Sequence, residues 1–154
     1  MSIPTHKVML VGDSGCGKTT WVQRLLTGKF EKKQLATVGV EVHPLIVEYA
    51  SGSVCLNIWD VAGSERFGGL RDGYMVDAEA AIIMVSSSNP NPKKSIDSWR
   101  KILPRDVKLI VVENVFGEGE ERNIAHCNIN VEQCTDIHTP LQLVRLMLGY
   151  QNVK

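Results

Sequence analysis

Residues 7–19 read KVMLVGDSGCGKT, an apolar run that passes directly into a glycine-rich loop ending in lysine and threonine. The run from Lys7 to Val11 is typical of a strand buried on both faces of a sheet. Lys18 to Thr27 places apolar side chains on one face, which predicts a helix that stops at Gly28. A strand, a glycine-rich turn and a helix in this order favour a site for phosphate groups.

The loop from Gly12 to Thr19 matches the pattern G-x-x-x-x-G-K-[ST] at every position. Its glycines let the backbone curl so that N–H groups point at anionic oxygens, and the helix N-terminus adds positive charge. Lys18 is placed to reach the β- and γ-phosphates, and the Thr19 hydroxyl is placed to bind Mg²⁺. The predicted phosphate-binding residues of this segment are Gly12, Asp13, Ser14, Gly15, Cys16, Gly17, Lys18, Thr19 and Thr20.

An acid at the end of a neighbouring strand completes such a site by holding Mg²⁺ through water. Asp60 follows a strand-like segment and begins the sequence Asp60-Val61-Ala62-Gly63. This spacing allows the N–H of Gly63 to reach a γ-phosphate. Together with the loop, Asp60 predicts a site for a nucleoside triphosphate and Mg²⁺.

The other segments alternate between strand and helix patterns, which indicates a layered α/β fold. Residues 38–48 alternate apolar and polar side chains, and Pro44 among them favours an edge strand. With residues 54–60 they form a predicted antiparallel hairpin in an otherwise parallel sheet. The remaining predictions are strands at 80–85, 107–112 and 124–129, and helices that open at Asn91-Pro92 and Thr139-Pro140.

The connection over residues 113–123 differs from the others. Parallel strands are usually joined by a dozen residues or more that carry a helix. This stretch holds two glycines and four glutamates and shows no apolar periodicity. We therefore expect the crossover helix after the fifth strand to be missing or reduced to a turn.

The composition argues against several classes of protein. The 154 residues include 17 basic and 17 acidic side chains, which gives no support for nucleic-acid binding. The four cysteines have neither zinc-finger nor CxxC spacing, and no segment is long and apolar enough to span a membrane. Neither a prenylation box nor a myristoylation signal is present. We expect one domain over residues 1–154, in a soluble intracellular monomer without a membrane anchor.

Four segments resemble the Ran group of the Ras-superfamily small GTPases. They read FEKK at 30–33, ATVGVEVHPL at 36–45, WD at 59–60 and RFGGLRDGY at 66–74. The resemblance implies a P-loop NTPase small G domain, with a mostly parallel six-stranded sheet, one antiparallel edge hairpin and helices on both faces.

The same resemblance implies a ligand, a metal ion and partners. The ligand is GTP or GDP with Mg²⁺, and Thr37 matches the threonine that closes on Mg²⁺ and the γ-phosphate. The implied metal ligands are therefore Thr19, Thr37 and Asp60, and the phosphate set gains Thr37 and Gly63. Importin- and exportin-type transport receptors are the implied partners, in the cytoplasm and the nucleus.

Three departures from this family predict impaired hydrolysis. Ser64 stands at the catalytic position where the family has a glutamine that orients the attacking water, and serine is too short to reach that water. Ser14 replaces a glycine close to the γ-phosphate, and Gln34 replaces a tyrosine that precedes the switch threonine. We expect GTP hydrolysis to be very slow or absent.

Guanine recognition is degraded as well. The family reads the base with N-K-x-D after the fifth strand, and the aspartate accepts two hydrogen bonds from guanine. In the direct register Glu113, Asn114 and Phe116 replace Asn, Lys and Asp; in the alternative register Asn114 comes first and Gly117 last. Neither register supplies the carboxylate, so weak base contacts are predicted from Asn114 and Phe116 alone.

Three functions fit these observations. The first is a GTP-binding switch protein that is arrested in the triphosphate state. The second is a pseudo-GTPase that mimics the Ran surface with little or no nucleotide. The third is an ATPase or a P-loop kinase, which the lack of a lid and an acceptor site disfavours.

Overall fold

The structure, a computed structural model, describes residues 3–28, 40–61, 71–116 and 123–151, with the backbone alone at 71 and 72. Strands and helices alternate through these residues. The strands are β1 (Thr5–Val11), β2 (Val40–Tyr49), β3 (Gly52–Val61), β4 (Ala80–Ser86), β5 (Lys108–Asn114) and β6 (Cys127–Ile129). The helices are α1 (Lys18–Thr27), α2 (Arg71–Met75), α3 (Pro92–Ile102) and α4 (Thr139–Met147).

The six strands form one sheet in the order β2-β3-β1-β4-β5-β6. Only β2 and β3 pair antiparallel, and every other neighbouring pair is parallel. This arrangement confirms the predicted sheet and its antiparallel edge hairpin. Strand β1 lies between β3 and β4, because the chain first continues to strands on one side of β1 and, after β3, crosses to strands on its other side. The carboxyl end of a strand at such a position is where α/β sheets bind ligands.

The core has two layers because successive side chains of a strand point to opposite faces. On one face Val8 and Leu10 pack in a cluster with side chains of α1 and α4. On the other face Met9 and Val11 pack with side chains of α2 and α3. Helices therefore cover both faces of the sheet, as predicted.

Most predicted elements are present, and their ends have local causes. Helix α1 begins at Lys18 and ends at Thr27, where Gly28 caps it by adopting φ 75° and donating its N–H to Arg24 O. Helix α3 begins after Asn91, whose side-chain oxygen accepts from Lys94 N at 3.4 Å. Pro44 lies on the edge strand β2, where a missing N–H is tolerated.

Two elements differ from the sequence-based prediction. Helix α2 was not predicted, since five residues with an internal glycine carry no helical periodicity. The predicted strand over 124–129 is too long, because only Cys127–Ile129 pairs with β5. Ile124 and Ala125 pack instead against the apolar cluster on the α3 face of the sheet.

The connection between β5 and β6 contains no helix in its described residues, 115–116 and 123–126. This agrees with a crossover helix that is reduced or missing, and residues 117–122 lie outside the described part of the chain. None of the helices in the described ranges is long and apolar enough to cross a membrane.

Candidate phosphate and magnesium site

The glycine-rich loop joins the carboxyl end of β1 to the first turn of α1. Gly15 and Gly17 adopt φ 82° and φ 100°, a left-handed backbone that glycine adopts without a steric penalty. Within the described residues, the N–H groups of these two glycines find no backbone acceptor. The loop therefore offers N–H groups to an anion, as the motif predicts.

Lys18 lies inside the loop rather than in solvent, with 6% of its surface exposed. Its ammonium group donates to Gly12 O at 2.8 Å and lies 3.8 Å from the Cys16 sulfur. An ammonium group carries three N–H donors, so at least one stays available for a phosphate oxygen. A buried cation also costs solvation free energy, which a polyphosphate bound in the loop would offset.

Thr19 and Asp60 meet at the mouth of the loop. The Thr19 hydroxyl donates to Asp60 Oδ2 at 2.6 Å, and Asp60 is fully buried at the end of β3. The other carboxylate oxygen, Oδ1, is buried and has no hydrogen-bond partner among the described residues. A hydroxyl beside a buried carboxylate oxygen without a partner fits a hard divalent cation, which prefers oxygen ligands.

Burial is the main influence on the pKa of Asp60, and it raises that pKa above its ordinary value. The hydrogen bond from Thr19 and the charge of Lys18 lower the pKa, but they do not cancel the effect of burial. Glu41, which pairs with Asp60 across the β2–β3 hairpin, raises it further. The carboxylate is therefore held at a cost that a bound Mg²⁺ would remove.

Helix α3 holds the loop in place through Asp13. The Trp99 indole donates to Asp13 Oδ1 at 3.0 Å, and the Ser95 hydroxyl donates to Asp13 Oδ2 at 2.5 Å. Asn89 donates to the Ser95 oxygen at 2.9 Å, and Trp99 is fully buried. Both carboxylate oxygens of Asp13 thus bind α3, so this side chain positions the loop from behind.

The side of the loop where a base is expected is built from Asn114 and Phe116. Asn114 is fully buried, and its amide donates to Cys16 O at 3.3 Å and accepts from Val131 N at 3.4 Å. A Cβ atom at Gly17 would collide with this amide and contact the ring of Phe116. Asn114 therefore ties the loop to the turn that follows β6, and its role as a base contact stays a prediction.

The described part of the site brings together most of the predicted residues. Gly12 to Thr20, Asp60, Asn114 and Phe116 lie around the carboxyl ends of β1, β3 and β5. Thr37, Gly63 and Ser64 lie outside the described residues, so their roles remain predictions. Glu113, which one register placed at the base, is buried within β5.

Sequence reasoning missed two residues that hold the loop, Ser95 and Trp99. The spacing of α3 correctly placed Trp99 on the buried face, but it gave no reason to expect a contact with Asp13. The available signal was Asp13 itself, because an acid in a loop that binds anions needs hydrogen-bond donors that keep its carboxylate away from the phosphates. Which donors these are depends on the packing of α3.

Comparison with protein families matches residues 7–116 to the model of Roc, the Ras of Complex domain, described for DAPkinase. The match covers more than two thirds of the chain and includes the loop, Asp60 and Asn114. It confirms the predicted relationship to Ras-like GTPases. The assignment to the Ran group stays a prediction.

We predict that Asp60→Asn separates stability from metal binding. A buried acid with a raised pKa binds protons more tightly in the folded state, so the unliganded protein loses stability as the pH rises toward that pKa. The variant should therefore have the higher Tm at neutral pH, where about 1 kcal/mol corresponds to about 2–4 °C in a domain of this size. It should also lose the Mg²⁺-dependent part of nucleotide affinity.

Thermal unfolding with and without Mg²⁺ and nucleotide tests this prediction. The difference in Tm between Asp60→Asn and wild type should become smaller as the pH falls, because Asp60 of the wild type then becomes neutral. Asp97→Asn serves as the control, since Asp97 is an exposed acid on α3. This substitution should change neither the Tm at neutral pH nor the Mg²⁺-dependent part of nucleotide affinity. An Asp60→Asn protein that keeps its response to Mg²⁺ would contradict the assignment.

We predict that Trp99→Phe weakens nucleotide binding about tenfold, because a hydrogen bond to a carboxylate is worth about 1.5–3 kcal/mol. Calorimetric titration with GTP and Mg²⁺ measures the change. Trp21→Phe is the matched control, since Trp21 is equally buried and donates to Ile137 O at 2.8 Å, outside the loop. Both variants should lose stability, and equal losses of affinity would show that the contact with Asp13 has no special role.

Proposed function

The chain belongs to the Roc family of Ras-like GTPase domains, and we propose that it is a Ran-like GTP-binding switch protein with impaired hydrolysis and degraded guanine recognition. The observation that carries this proposal is the pair formed by Thr19 and Asp60, with a buried carboxylate oxygen that has no hydrogen-bond partner among the described residues. Lys18 supplies a positive charge for a polyphosphate, and the glycine N–H groups supply hydrogen-bond donors for its oxygens. We propose residues 1–154 as a single G domain.

In this function the chain's own residues bind and orient a triphosphate. Lys18 and the N–H groups of the loop neutralise phosphate oxygens, and Asp13 and Asn114 keep the loop in shape from two sides. Thr19 and Asp60, with Thr37, would hold Mg²⁺, which neutralises charge on the β- and γ-phosphates when bound. Ser64 cannot orient a water as a glutamine does, which supports a protein that stays in the triphosphate state.

Weak selection of guanine follows from the residues after β5. The aspartate that would accept hydrogen bonds from guanine is replaced by Phe116 or Gly117, depending on the register. The half-buried ring of Phe116 lies near Gly17, where it can contact a base without reading its edge. A polar base edge without partners costs about 1–3 kcal/mol, so affinity rests mainly on the phosphates.

The partner that this function requires would contact the outer face of the β2–β3 hairpin. Val42 and Ile46 are 44% and 58% exposed there, and Pro44 lies between them at the surface. Such an apolar stripe on an edge strand is suited to a protein partner. Val42 and Pro44 belong to the segment that resembles Ran, which supports importin- or exportin-type receptors.

The nucleotide content of the purified protein tests the proposal. Protein prepared in Mg²⁺ and then denatured should release GTP rather than GDP, because hydrolysis is slow. Lys18→Ala should lose the nucleotide, and Lys108→Ala, an exposed lysine at the start of β5, should retain it. Bound GDP would contradict impaired hydrolysis, and bound ATP would point to an ATPase.

An empty protein would favour the alternative function, a pseudo-GTPase that presents a Ran-like surface. Differential scanning fluorimetry then decides, since a pseudo-GTPase should show no change in Tm with Mg²⁺ and any nucleotide. Asn114 bears on this alternative, because its buried side chain holds the loop through contacts with other protein groups. A pseudo-GTPase requires such contacts, because its loop must be held by protein groups instead of by a nucleotide.

The partner assignment has its own prediction. Purified importin- and exportin-type receptors should bind the chain, and Ile46→Asp should weaken that binding about tenfold or more by placing a charge in an apolar interface. Leu146→Asp is the control, since Leu146 is a 38% exposed apolar residue on α4. Equal binding by wild type and Ile46→Asp would contradict the use of the β2 face.

A further inference from the structure

Helix α3 carries a strongly basic surface on a chain that has no net charge. Residues 91–106 contain five of the 17 basic side chains and only two acidic ones, Asp97 and Asp106. The five cations are all exposed, and we call them the basic face of α3; four lie on the helix and the last follows its end: Lys93, Lys94, Arg100, Lys101 and Arg105.

The helical period separates this face from the core. Ser95, Ile96 and Trp99 are buried against the sheet and the glycine-rich loop. Lys94 and Lys101 are seven residues apart, which places them on one side of the helix, about 10 Å from each other along its axis. The four cations on the helix therefore lie on the side that points away from the nucleotide site, with Asp97 between them.

Asp97 lies on the same side of the helix and offsets part of this charge, but in the described part of the chain no ion pair joins it to one of the cations. The ion pairs found there join His6 to Glu79 and His43 to Glu41, and neither involves α3. Lys93 and Lys94 also lie in the first turn, which has no acidic residue, and cations at that end of a helix are unfavourable. Arg100 and Lys101 lie in the last turn, where cations are favourable, so the local conflict is confined to the first turn, and such a conflict is the kind that occurs at functional surfaces.

The chemistry of the surroundings narrows the class of partner. The large apolar side chains that are exposed in the described residues lie outside α3, so nothing on this face could insert into a lipid surface. The aromatic side chain of the helix, Trp99, is fully buried and cannot stack on the bases of a single strand. What the basic face offers is ammonium and guanidinium groups, which bind carboxylates and phosphates alike; with no aromatic or apolar side chain beside them, a run of side-chain carboxylates is the partner that matches this face by charge alone.

We propose that the basic face of α3 is a docking surface for an acidic segment of a partner protein, a short run rich in Asp and Glu. From Lys93 to Lys101 the helix spans about 12 Å, which about four residues of an extended peptide cover. Each exposed ion pair contributes little by itself, so binding depends on several acting together and weakens as salt rises. The proposal does not rest on the nucleotide function, since it uses other residues.

Fluorescence anisotropy with a labelled decaglutamate peptide tests the proposal on the full chain. Wild type should bind at low ionic strength and lose affinity at physiological salt. The triple variant Lys94→Glu/Lys101→Glu/Arg105→Glu should bind at least about tenfold more weakly. Asp97→Asn, which removes an acid from the same face, should bind more tightly than wild type.

Two controls keep the result interpretable. Lys108→Glu reverses an exposed lysine on β5 outside the basic face and should leave peptide affinity within about twofold of wild type. The milder Lys94→Gln/Lys101→Gln variant replaces the triple variant if circular dichroism shows that the latter is unfolded. Undiminished binding by the charge-reversed protein would overturn the proposal.

The same titrations with oligothymidine and with phosphatidylserine vesicles separate the partner classes. Neither should compete with the peptide at equal charge concentration if carboxylate segments are the partner. Tighter binding of the oligonucleotide or of the vesicles would overturn the assignment in favour of nucleic acid or of an anionic membrane. No binding of decaglutamate at low ionic strength would overturn it as well.

Discussion

A loop that directs its N–H groups at an anion cannot use the same groups to hold its own shape. In this protein the shape depends largely on side chains, one at the end of the loop and two from elements outside it. Lys18 of α1 binds Gly12 O, Asn114 of β5 binds Cys16 O, and Trp99 of α3 binds Asp13. Each contact leaves the inward N–H groups free for phosphate, so the site depends on the packing of the whole sheet edge.

The same requirement explains why polar groups are buried at this edge. Lys18, Asp60 and Asn114 are among the buried polar residues, and none of them is a favourable choice for a core in isolation. Asp60 shows the conflict most clearly, because burial raises its pKa and leaves one of its oxygens without a partner in the described structure. Burial of these polar groups lowers the stability of the unliganded protein, and it creates a site that a cation and an anion can fill together.

Prediction from the sequence succeeded where the signal is local. The order of strand, loop and helix around residues 7–27 follows from apolar periodicity and glycine spacing, and Asn91 with Pro92 marks the start of α3. Prediction failed where neighbours in space decide the structure. The segment before Cys127 looks like a strand by its apolar residues, yet Ile124 satisfies its hydrophobicity by packing on the core without pairing.

The residues of the candidate site fall into the same two groups, those that the local sequence identifies and those that are brought together only by the fold. Gly12 to Thr19 and Asp60 could be assigned from the chain alone, because the spacing of a motif fixes which groups a local turn can present. The partners of Asp13 and the position of Asn114 could not, since they join residues more than 80 positions apart in the sequence. Hydrogen bonds of that kind depend on strand order and helix packing, and these exist only once the sheet has formed.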